Sequence, residues 1–414
     1  MTRAASATGS SQADELRQKM TDVLVEKGWV TSPEVEAAFR SVPRHLFTPG
    51  GTPLEQAYDA DQSVITKSDA DGVHLSSVSA PFVQAAMIGQ AGVRPGMRVL
   101  EVGSGGYQAA LLAEVTGPGG HVVTMDIDPE VTGRARELLE QTGHGSRVTV
   151  VTGDAAGGAP GHGKFDAIIV TCGAWDLPPA WTGQLAPGTG TLVVPLRMNG
   201  NTRSVAFRQQ GSRWSSVSHV YCGFVPIRGE GAFAVQAFRL PRPDGGEVTL
   251  RFETGAPDDP ALLDGVLATP QVTRWSGVLF PSGVPYADLE LWLGGFQPGF
   301  CRASAGGKGG KSWVPYGAAV RDSLGVLAQR WRDDAGMFEF GATAWGPDAS
   351  GMADLLNAQV AAWDAAGRDI EQDGFTFRPA GDDVPPAGPL TAVFPKVHGT
   401  VTVTFPGRPA PAAS

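Results

Sequence analysis

The segment 97–141 alternates short apolar runs with helical patterns, and this alternation constrains the fold more than any other feature of the chain. Apolar runs of strand length cover Arg98–Val102 and His121–Asp126, and helical patterns follow them at 108–114 and 130–141. This order is typical of parallel strands joined by right-handed helical crossovers. The sequence therefore predicts a doubly wound α/β domain.

The same domain is predicted to extend in both directions along the chain. Before the segment, helical spacing covers 14–27, and a second helix is expected from Pro33, capped by Ser32, to about residue 40. After it, further strands are predicted at 148–151, 167–171 and 191–195. The α/β domain would then end near residue 230.

A chain of 414 residues is too long for one ordinary core, which favours two domains. We predict a disordered N-terminus over 1–13, the α/β domain with its N-terminal helices over 14–230, a smaller α+β domain over 231–404, and a disordered tail over 405–414. In the second domain, short strand-like runs lie at 248–252 and 337–342, and amphipathic helices are predicted over 318–331 and 351–366.

Charge and cysteine content limit the possible partners. The net charge of −10 and pI of about 5.2 argue against nucleic-acid binding and favour neutral or basic partners. Cys172, Cys222 and Cys301 are too far apart for a disulfide framework or a CxxC metal site, and the histidines show no metal-binding spacing. No signal peptide and no stretch of roughly 20 apolar residues is evident. These features predict a cytoplasmic protein without metal or membrane contact, whose oligomeric state the sequence leaves open.

A nucleoside site is predicted where three strands end. The first strand runs into the glycine turn 103–106, the second ends in Asp126, and Asp154 follows the third. Asp126 is placed to bind ribose hydroxyls, and Asp154 could accept the adenine amino group, although either carboxylate alone could also cap a helix or turn. Glu101 would repel a phosphate but suits an ammonium group. These acids favour S-adenosylmethionine over a dinucleotide.

Several motifs in order resemble the protein-L-isoaspartate O-methyltransferase family over about residues 14–230. They are Val42-Pro43-Arg44-His45-Leu46-Phe47-Thr48-Pro49, Ala57-Tyr58-Asp59, Ser77-Val78-Ser79-Ala80-Pro81, the helix that starts at Tyr107-Gln108-Ala109-Ala110, Leu185-Ala186-Pro187-Gly188 and Val194-Pro195. The resemblance implies a Rossmann-like methyltransferase domain that uses S-adenosyl-L-methionine and releases S-adenosyl-L-homocysteine.

The resemblance also implies roles for individual residues. Ser79 would be the catalytic residue that holds the acceptor carboxylate, although it could equally cap the helix that begins at Pro81. The substrate loop would comprise Ser77, Val78, Ser79 and Ala80. The cofactor would lie against Glu101, Gly103, Ser104, Gly105, Asp126, Ile127, Asp154 and Ala155. Because a carboxylate is already an anion at neutral pH, its methylation needs no general base.

Three features depart from the family pattern. The glycine turn is one residue shorter, and Trp175 with Asp176 follows the fourth strand, where Trp175 would either contact the substrate or be a surface substitution. The extension after residue 230 resembles that of the FxLD-system methyltransferases, which accompany lanthipeptides, graspetides and lasso peptides. That resemblance implies that the partner is a cyclised ribosomal precursor peptide, whose aspartate would be esterified and converted to a succinimide and then to isoaspartate.

Two alternatives remain open at the level of sequence. One is isoaspartate repair by an enzyme that carries an accessory domain. The other is a non-catalytic partner protein that binds the cofactor.

Overall fold

The computed structural model describes residues 2–306 and 313–407. Its helices are α1 (Thr2–Glu26), α2 (Pro33–Ser41), α3 (Leu54–Ala57), α4 (Pro81–Ala91), α5 (Tyr107–Thr116), α6 (Pro129–Gln141), α7 (Pro179–Gln184), α8 (Ala287–Phe296) and α9 (Ala349–Ala365). The first ten strands are β1 (Val64–Ser68), β2 (His74–Val78), β3 (Arg98–Val102), β4 (His121–Asp126), β5 (Val148–Thr152), β6 (Ala167–Val170), β7 (Thr191–Met198), β8 (Asn201–Gln210), β9 (Arg213–Tyr221) and β10 (Gln236–Pro241). The remainder are β11 (Glu247–Phe252), β12 (Val272–Phe280), β13 (Phe300–Gly306), β14 (Trp313–Val320), β15 (Ser323–Arg332), β16 (Met337–Trp345), β17 (Phe375–Pro379), β18 (Thr391–Pro395) and β19 (Gly399–Thr404).

The predicted doubly wound sheet is present. Strands β5, β4, β3, β6 and β7 are parallel neighbours in that order, and β8 and β9 continue the sheet antiparallel. The strand order reverses between β3 and β6, which is where Rossmann-like sheets bind their ligands. Helices α5 and α6 pack on the parallel strands, and α2 packs on α5.

The last three strands return to this first sheet rather than staying in the second domain. Strand β17 pairs with β9 through Thr376 with Ser215 and Phe377 with Trp214, and β19 and β18 follow outward. The boundary predicted at residue 230 therefore does not separate two independent sheets. The apolar alternation of β17–β19 could not reveal its partner, because pairing across such a distance in sequence depends on tertiary structure.

The second sheet is antiparallel and has the strand order β10-β11-β13-β14-β15-β16-β12 in the described part of the chain. Helix α9 packs on β12, β15 and β16, in agreement with the helix predicted over 351–366. The helix predicted over 318–331 is wrong, since β14 and β15 form a hairpin there with Arg321 at a φ of 57°. Residues 323–328 of β15 are all buried, and the apolar run that follows Ser323 has no period that distinguishes a strand from a helix.

One hydrophobic cluster joins both sheets. It contains Leu192 of β7, Leu289 and Trp292 of α8, Phe340 of β16 and Phe375 of β17, all of them buried. Helix α8 contacts β7, β8 and β18 of the first sheet and β13 of the second. The extension thus shares its core with the first sheet instead of forming a separate, loosely attached unit.

The chain ends also differ from the prediction. Helix α1 begins at Thr2 and not near residue 14, because adding residues to an existing helix costs much less than starting one, and residues further along anchor this helix on the protein. Phe405 is buried and donates its N–H to the Leu390 carbonyl oxygen, while the rest of the predicted tail, from residue 408, lies outside the described residues. Within the described ranges, no helix is long and apolar enough to cross a membrane.

Candidate active site

The carboxyl ends of β3 and β6 lie side by side, with Val102 paired to Val170. Immediately after them, the Thr171 hydroxyl donates hydrogen bonds to the carbonyl oxygens of Val102 at 3.0 Å and Gly103 at 2.8 Å. Gly103 has a φ of 102°, and a Cβ atom there would lie 2.5 Å from Thr171 Oγ1. Glycine is therefore required at this position, and the turn leaves open space above the sheet edge.

We call that space the cofactor cleft. Of the residues predicted to bind a cofactor, it is lined by Gly103, Gly105, Asp126, Ile127 and Ala155. Glu101, Ser104 and Asp154 were predicted with them but do not line the cleft. The structure therefore brings together the glycine turn and the ends of β4 and β5, while Glu101 and Ser104 are buried and Asp154 is half-buried outside the cleft.

Asp126 faces the cleft with part of its hydrogen-bonding capacity already used. Its Oδ2 accepts the Ser104 N–H at 3.2 Å, and its Oδ1 accepts the Asp128 N–H at 2.9 Å. Arg228 Nη2 lies 3.5 Å from Oδ1, and burial raises the pKa of the carboxyl group despite this cation. A carboxylate offers about four acceptor positions, so Asp126 retains capacity for two ribose hydroxyls. The residues present fit a nucleoside.

Glu101 is buried beneath the glycine turn. Thr124 Oγ1 donates to its Oε2 at 2.6 Å, while Glu101 Oε1 and the buried Ser104 Oγ have no hydrogen-bond partner in the described chain. Burial raises the pKa of Glu101 to about 8, which keeps the carboxyl group protonated at neutral pH. The predicted contact between an ionised Glu101 and an ammonium group would therefore require loss of this proton.

Asp154 holds a segment that covers the cleft, which we call the strap and define as residues 223–231. Asp154 Oδ2 accepts the Glu230 N–H at 2.8 Å, and Oδ1 accepts the Ala156 N–H at 2.9 Å. Gly229 has a φ of 80°, and a Cβ atom there would lie 2.1 Å from Asp154 Oδ2. Asp154 thus attaches the strap and caps the following turn, and its two remaining acceptor positions leave the predicted contact with the adenine amino group a prediction.

A second cleft borders the same strap, and we call it the acceptor cleft because residues of the predicted substrate loop line it. Ser77, Ser79 and Ala80 line it, and Ser77 also lines the cofactor cleft, so this residue stands where the two clefts meet. Val78 was predicted with them but is buried in the core, because successive side chains of β2 point to opposite faces. The strap residues Val225 and Pro226 border both clefts.

The loop that carries Ser79 is attached to the core by Arg44. This fully buried guanidinium donates to the carbonyl oxygens of Ala57 at 2.7 Å and Val78 at 3.4 Å, and to Gln84 Oε1 at 3.0 Å. Burial lowers its pKa to about 10, so it remains charged at neutral pH. The arginine of the proline-arginine-histidine motif thus positions the backbone next to Ser79.

Trp175 lines neither the cofactor cleft nor the acceptor cleft. Its indole stacks on Phe233 with ring centroids 3.6 Å apart, and Lys396 Nζ lies 3.5 Å from the indole centroid on the same ring system. Trp175 is buried and is therefore not a surface substitution, while it lines a separate cavity with Phe233 and His398, so its predicted contact with the substrate stays a prediction. It supports Phe233 and the returning C-terminal strands.

Sequence reasoning missed the strap and the residues that follow β6. Val225, Ile227, Arg228, Thr171 and Cys172 line the cofactor cleft, but they belong to no motif that spacing could identify. The pairing of Gly173 with Pro226 brings the strap to the sheet edge, which only the folded chain shows. In the described ranges, no group of three or more His, Cys, Asp or Glu side chains could hold a metal ion.

Comparison with known proteins agrees with this geometry. A family model described as protein-L-isoaspartate(D-aspartate) O-methyltransferase matches residues 15–232. A protein-L-isoaspartate O-methyltransferase of Hyperthermus butylicus is 37% identical over 225 residues, which cover 52% of this chain and 90% of that protein. A second such enzyme, from Methanopyrus kandleri, is 34% identical over 219 residues, which cover 52% of this chain and 93% of that protein. A solved structure described as protein-L-isoaspartate O-methyltransferase covers 87% of this chain and 95% of its own, with a TM-score of 0.50 and 21% identity, a likeness of fold.

Proposed function

The chain belongs to the protein-L-isoaspartate O-methyltransferase family and is an S-adenosylmethionine-dependent methyltransferase, and from this premise we propose that it esterifies an aspartate side chain of a modified ribosomal peptide. The carboxyl methyltransferase class follows from the family. The aspartate acceptor and the cyclised peptide are the proposal. Its main support is the shape of the protein around the acceptor cleft.

The acceptor cleft continues into a larger groove that the C-terminal extension helps to build. Cys222, Gly223, Phe224 and Pro226 line both. The far wall of the groove is formed by Phe233 and by side chains of β11 and β13. A repair enzyme that accepts any short unfolded peptide would not need this wall, whereas an enzyme selective for one folded peptide would.

The residues of the chain have distinct tasks in this proposal. Gly103, Gly105, Asp126, Ile127 and Ala155 hold S-adenosyl-L-methionine, which supplies an electrophilic methyl group when bound. Ser77 and Ser79 donate hydrogen bonds to the acceptor carboxylate and orient it. The strap excludes water from the junction between the clefts. No residue has to remove a proton, because the acceptor carboxylate has a reference pKa near 4.

The methyl ester then becomes the electrophile of a second step. The backbone nitrogen that follows the aspartate attacks the ester carbon, a C–N bond forms, and methanol leaves with the amide proton. The resulting succinimide persists or is hydrolysed to isoaspartate. This step needs no residue of the enzyme.

Mass spectrometry of matched peptides tests the proposal. The substrates are an isoaspartyl peptide, its linear aspartyl counterpart, and a panel of aspartyl peptides closed by thioether or side-chain amide rings. A methyl gain followed by methanol loss on ring-closed aspartyl peptides supports the proposal. Methylation of the isoaspartyl peptide in preference to every aspartyl peptide would instead support repair, the second candidate, which the curated relatives favour by name.

A further inference from the structure

We propose that the groove between the two sheets is a docking site for an acidic segment of the peptide substrate, adjacent to the acceptor aspartate. We call it the basic groove and define it by Arg197, Arg251, Arg302, Glu253, Phe224 and Phe233. The inference rests on the proposed function, since it concerns the same substrate.

The charge of the basic groove is opposite to that of the whole chain. Among the described residues that line it are three arginines and, as the single acidic residue, Glu253, although the chain carries a net charge of −10. The preference for neutral or basic partners that the overall charge predicts therefore does not hold at this surface. Local potential, and not net charge, decides what a cleft attracts.

The arginines differ in how far they are neutralised. Arg197 forms an ion pair with Glu253, and Arg302 Nε lies 3.4 Å from Oε1 of the fully buried Glu290. Arg251 is exposed and donates a hydrogen bond to Ser304 Oγ at 2.9 Å, but it forms no ion pair with any carboxylate in residues 2–306 and 313–407. Arg251 is thus the cation of the groove that is available to a ligand.

The position of Arg251 makes an anionic ligand favourable. It lies directly opposite Arg302 in the register of β11 and β13, so the two side chains project from the same face of the sheet. Like charges that oppose each other across antiparallel strands destabilise the pair. A carboxylate bound between them would remove this repulsion and gain charge-assisted hydrogen bonds from planar guanidinium groups.

The groove also has the continuity and the apolar surface that a peptide requires. It shares Phe224 and Pro226 with the acceptor cleft, so one chain can extend from one to the other. Phe233, which is stacked on Trp175, offers an aromatic wall next to the arginines. A glutamate- or aspartate-rich segment with interspersed apolar residues matches this combination.

Fluorescence anisotropy with labelled peptides tests the proposal without requiring turnover. Each probe carries one acceptor aspartate within a thioether or side-chain amide ring and a glutamate-rich flank on either side, and its partner has every flanking glutamate replaced by glutamine. We expect the glutamate probe to bind about fivefold more tightly at low salt and to lose this advantage at high salt. Arg251→Glu should remove the preference between the two probes.

Arg239→Glu is the matched control, because Arg239 lies on β10 of the same sheet, is highly exposed and does not line the groove. It should keep the preference. Equal affinity of the wild type for both probes, or an equal effect of the two substitutions, would overturn the proposal.

Failure of the basic-groove proposal can be distinguished from failure of the proposed function, because the first is measured by binding and the second by methyl transfer. Selective binding of the acidic probe without methyl transfer would leave the groove assignment standing and refute the acceptor assignment. Methylation of both probes without selective binding would refute the groove assignment and leave the acceptor assignment standing.

Discussion

The Asp154 carboxylate accepts a hydrogen bond from the backbone N–H of Glu230 at 2.8 Å, and this contact attaches the strap to the edge of the parallel sheet. The two residues are 76 positions apart in the chain. A carboxylate at this edge would by analogy be assigned to the adenine ring. Here it also holds the protein backbone, so we expect it to influence cofactor binding through the strap.

Substitution of Asp154 by asparagine should loosen the strap. The side-chain amide can still accept the Ala156 N–H, but its NH₂ group then faces the Glu230 N–H and leaves that donor unsatisfied, at a cost of about 1–3 kcal/mol. We expect faster amide hydrogen exchange in 229–231 without any cofactor, and roughly tenfold weaker binding of S-adenosylhomocysteine by calorimetry.

The control is Asp259→Asn, which alters a cap of the same kind, to Ala261 N–H, away from the cleft. Weaker cofactor binding with unchanged exchange in the free Asp154→Asn protein would contradict the strap mechanism and favour a direct adenine contact.

Removal of the Ser79 hydroxyl should impair peptide methylation while leaving cofactor affinity intact. Ser79 lines the acceptor cleft but not the cofactor cleft. Loss of one hydrogen bond to a charged group costs about 1.5–3 kcal/mol, so we expect kcat/KM of Ser79→Ala to fall by about tenfold or more. Steady-state kinetics and calorimetry measure the two quantities. Ser68→Ala, at the exposed end of β1, should change neither, and a Ser79→Ala protein with full turnover would remove Ser79 from the mechanism.

Glu101 should make the stability of the fold depend on pH. Burial raises its pKa from 4.5 to about 8, so between these values the folded protein binds the proton that the unfolded chain has released. The contribution of the protonated Glu101 to the free energy of unfolding is complete below pH 4.5. It is lost as the pH rises from there to about 8.

Chemical denaturation of the wild type and Glu101→Gln across this window measures the effect. The variant should gain stability relative to the wild type as the pH increases, by at most about 1.4 kcal/mol per pH unit. Glu140→Gln, at an exposed site, should follow the wild type throughout. A constant difference between wild type and Glu101→Gln would show that Glu101 is ionised in the folded protein.

Truncation of the Phe377 side chain in β17 should leave a cavity in the core and destabilise the whole first sheet. Phe377 is 2% exposed and pairs with Trp214 of β9 in the first sheet. Truncation of a buried phenylalanine costs about 3–5 kcal/mol, so Phe377→Ala should lower the midpoint of a single cooperative thermal transition. Val397→Ala, at a site 75% exposed, should leave it nearly unchanged. Two separate thermal transitions, with the midpoint of the transition of the cofactor-binding domain unchanged in Phe377→Ala, would contradict a shared core.

Sequence patterns predicted most of the first domain, because its helix caps and strands are specified by residues that are close together in the chain. Ser32 caps α2 by accepting the Val35 N–H, and the runs that end at Val102 and Asp126 form β3 and β4 with the predicted bounds. Alternation of strand and helix then leaves few topologies for a parallel sheet. Gly103, Gly105, Asp126, Ile127 and Ala155 line one cleft, because parallel strands place their carboxyl ends at one edge, and their contact with the cofactor stays a prediction.

What the sequence by itself determined is therefore the parallel sheet, its glycine turn and the family. Only the tertiary structure decided that β17 joins β9, that Asp154 holds Glu230, and that Arg251 faces Arg302 at the far end of the acceptor side. These contacts join residues from distant parts of the chain or from different strands, and they depend on how whole elements pack. A pattern of neighbouring residues reports the local backbone and its buried face, but it does not identify the surface against which that face packs.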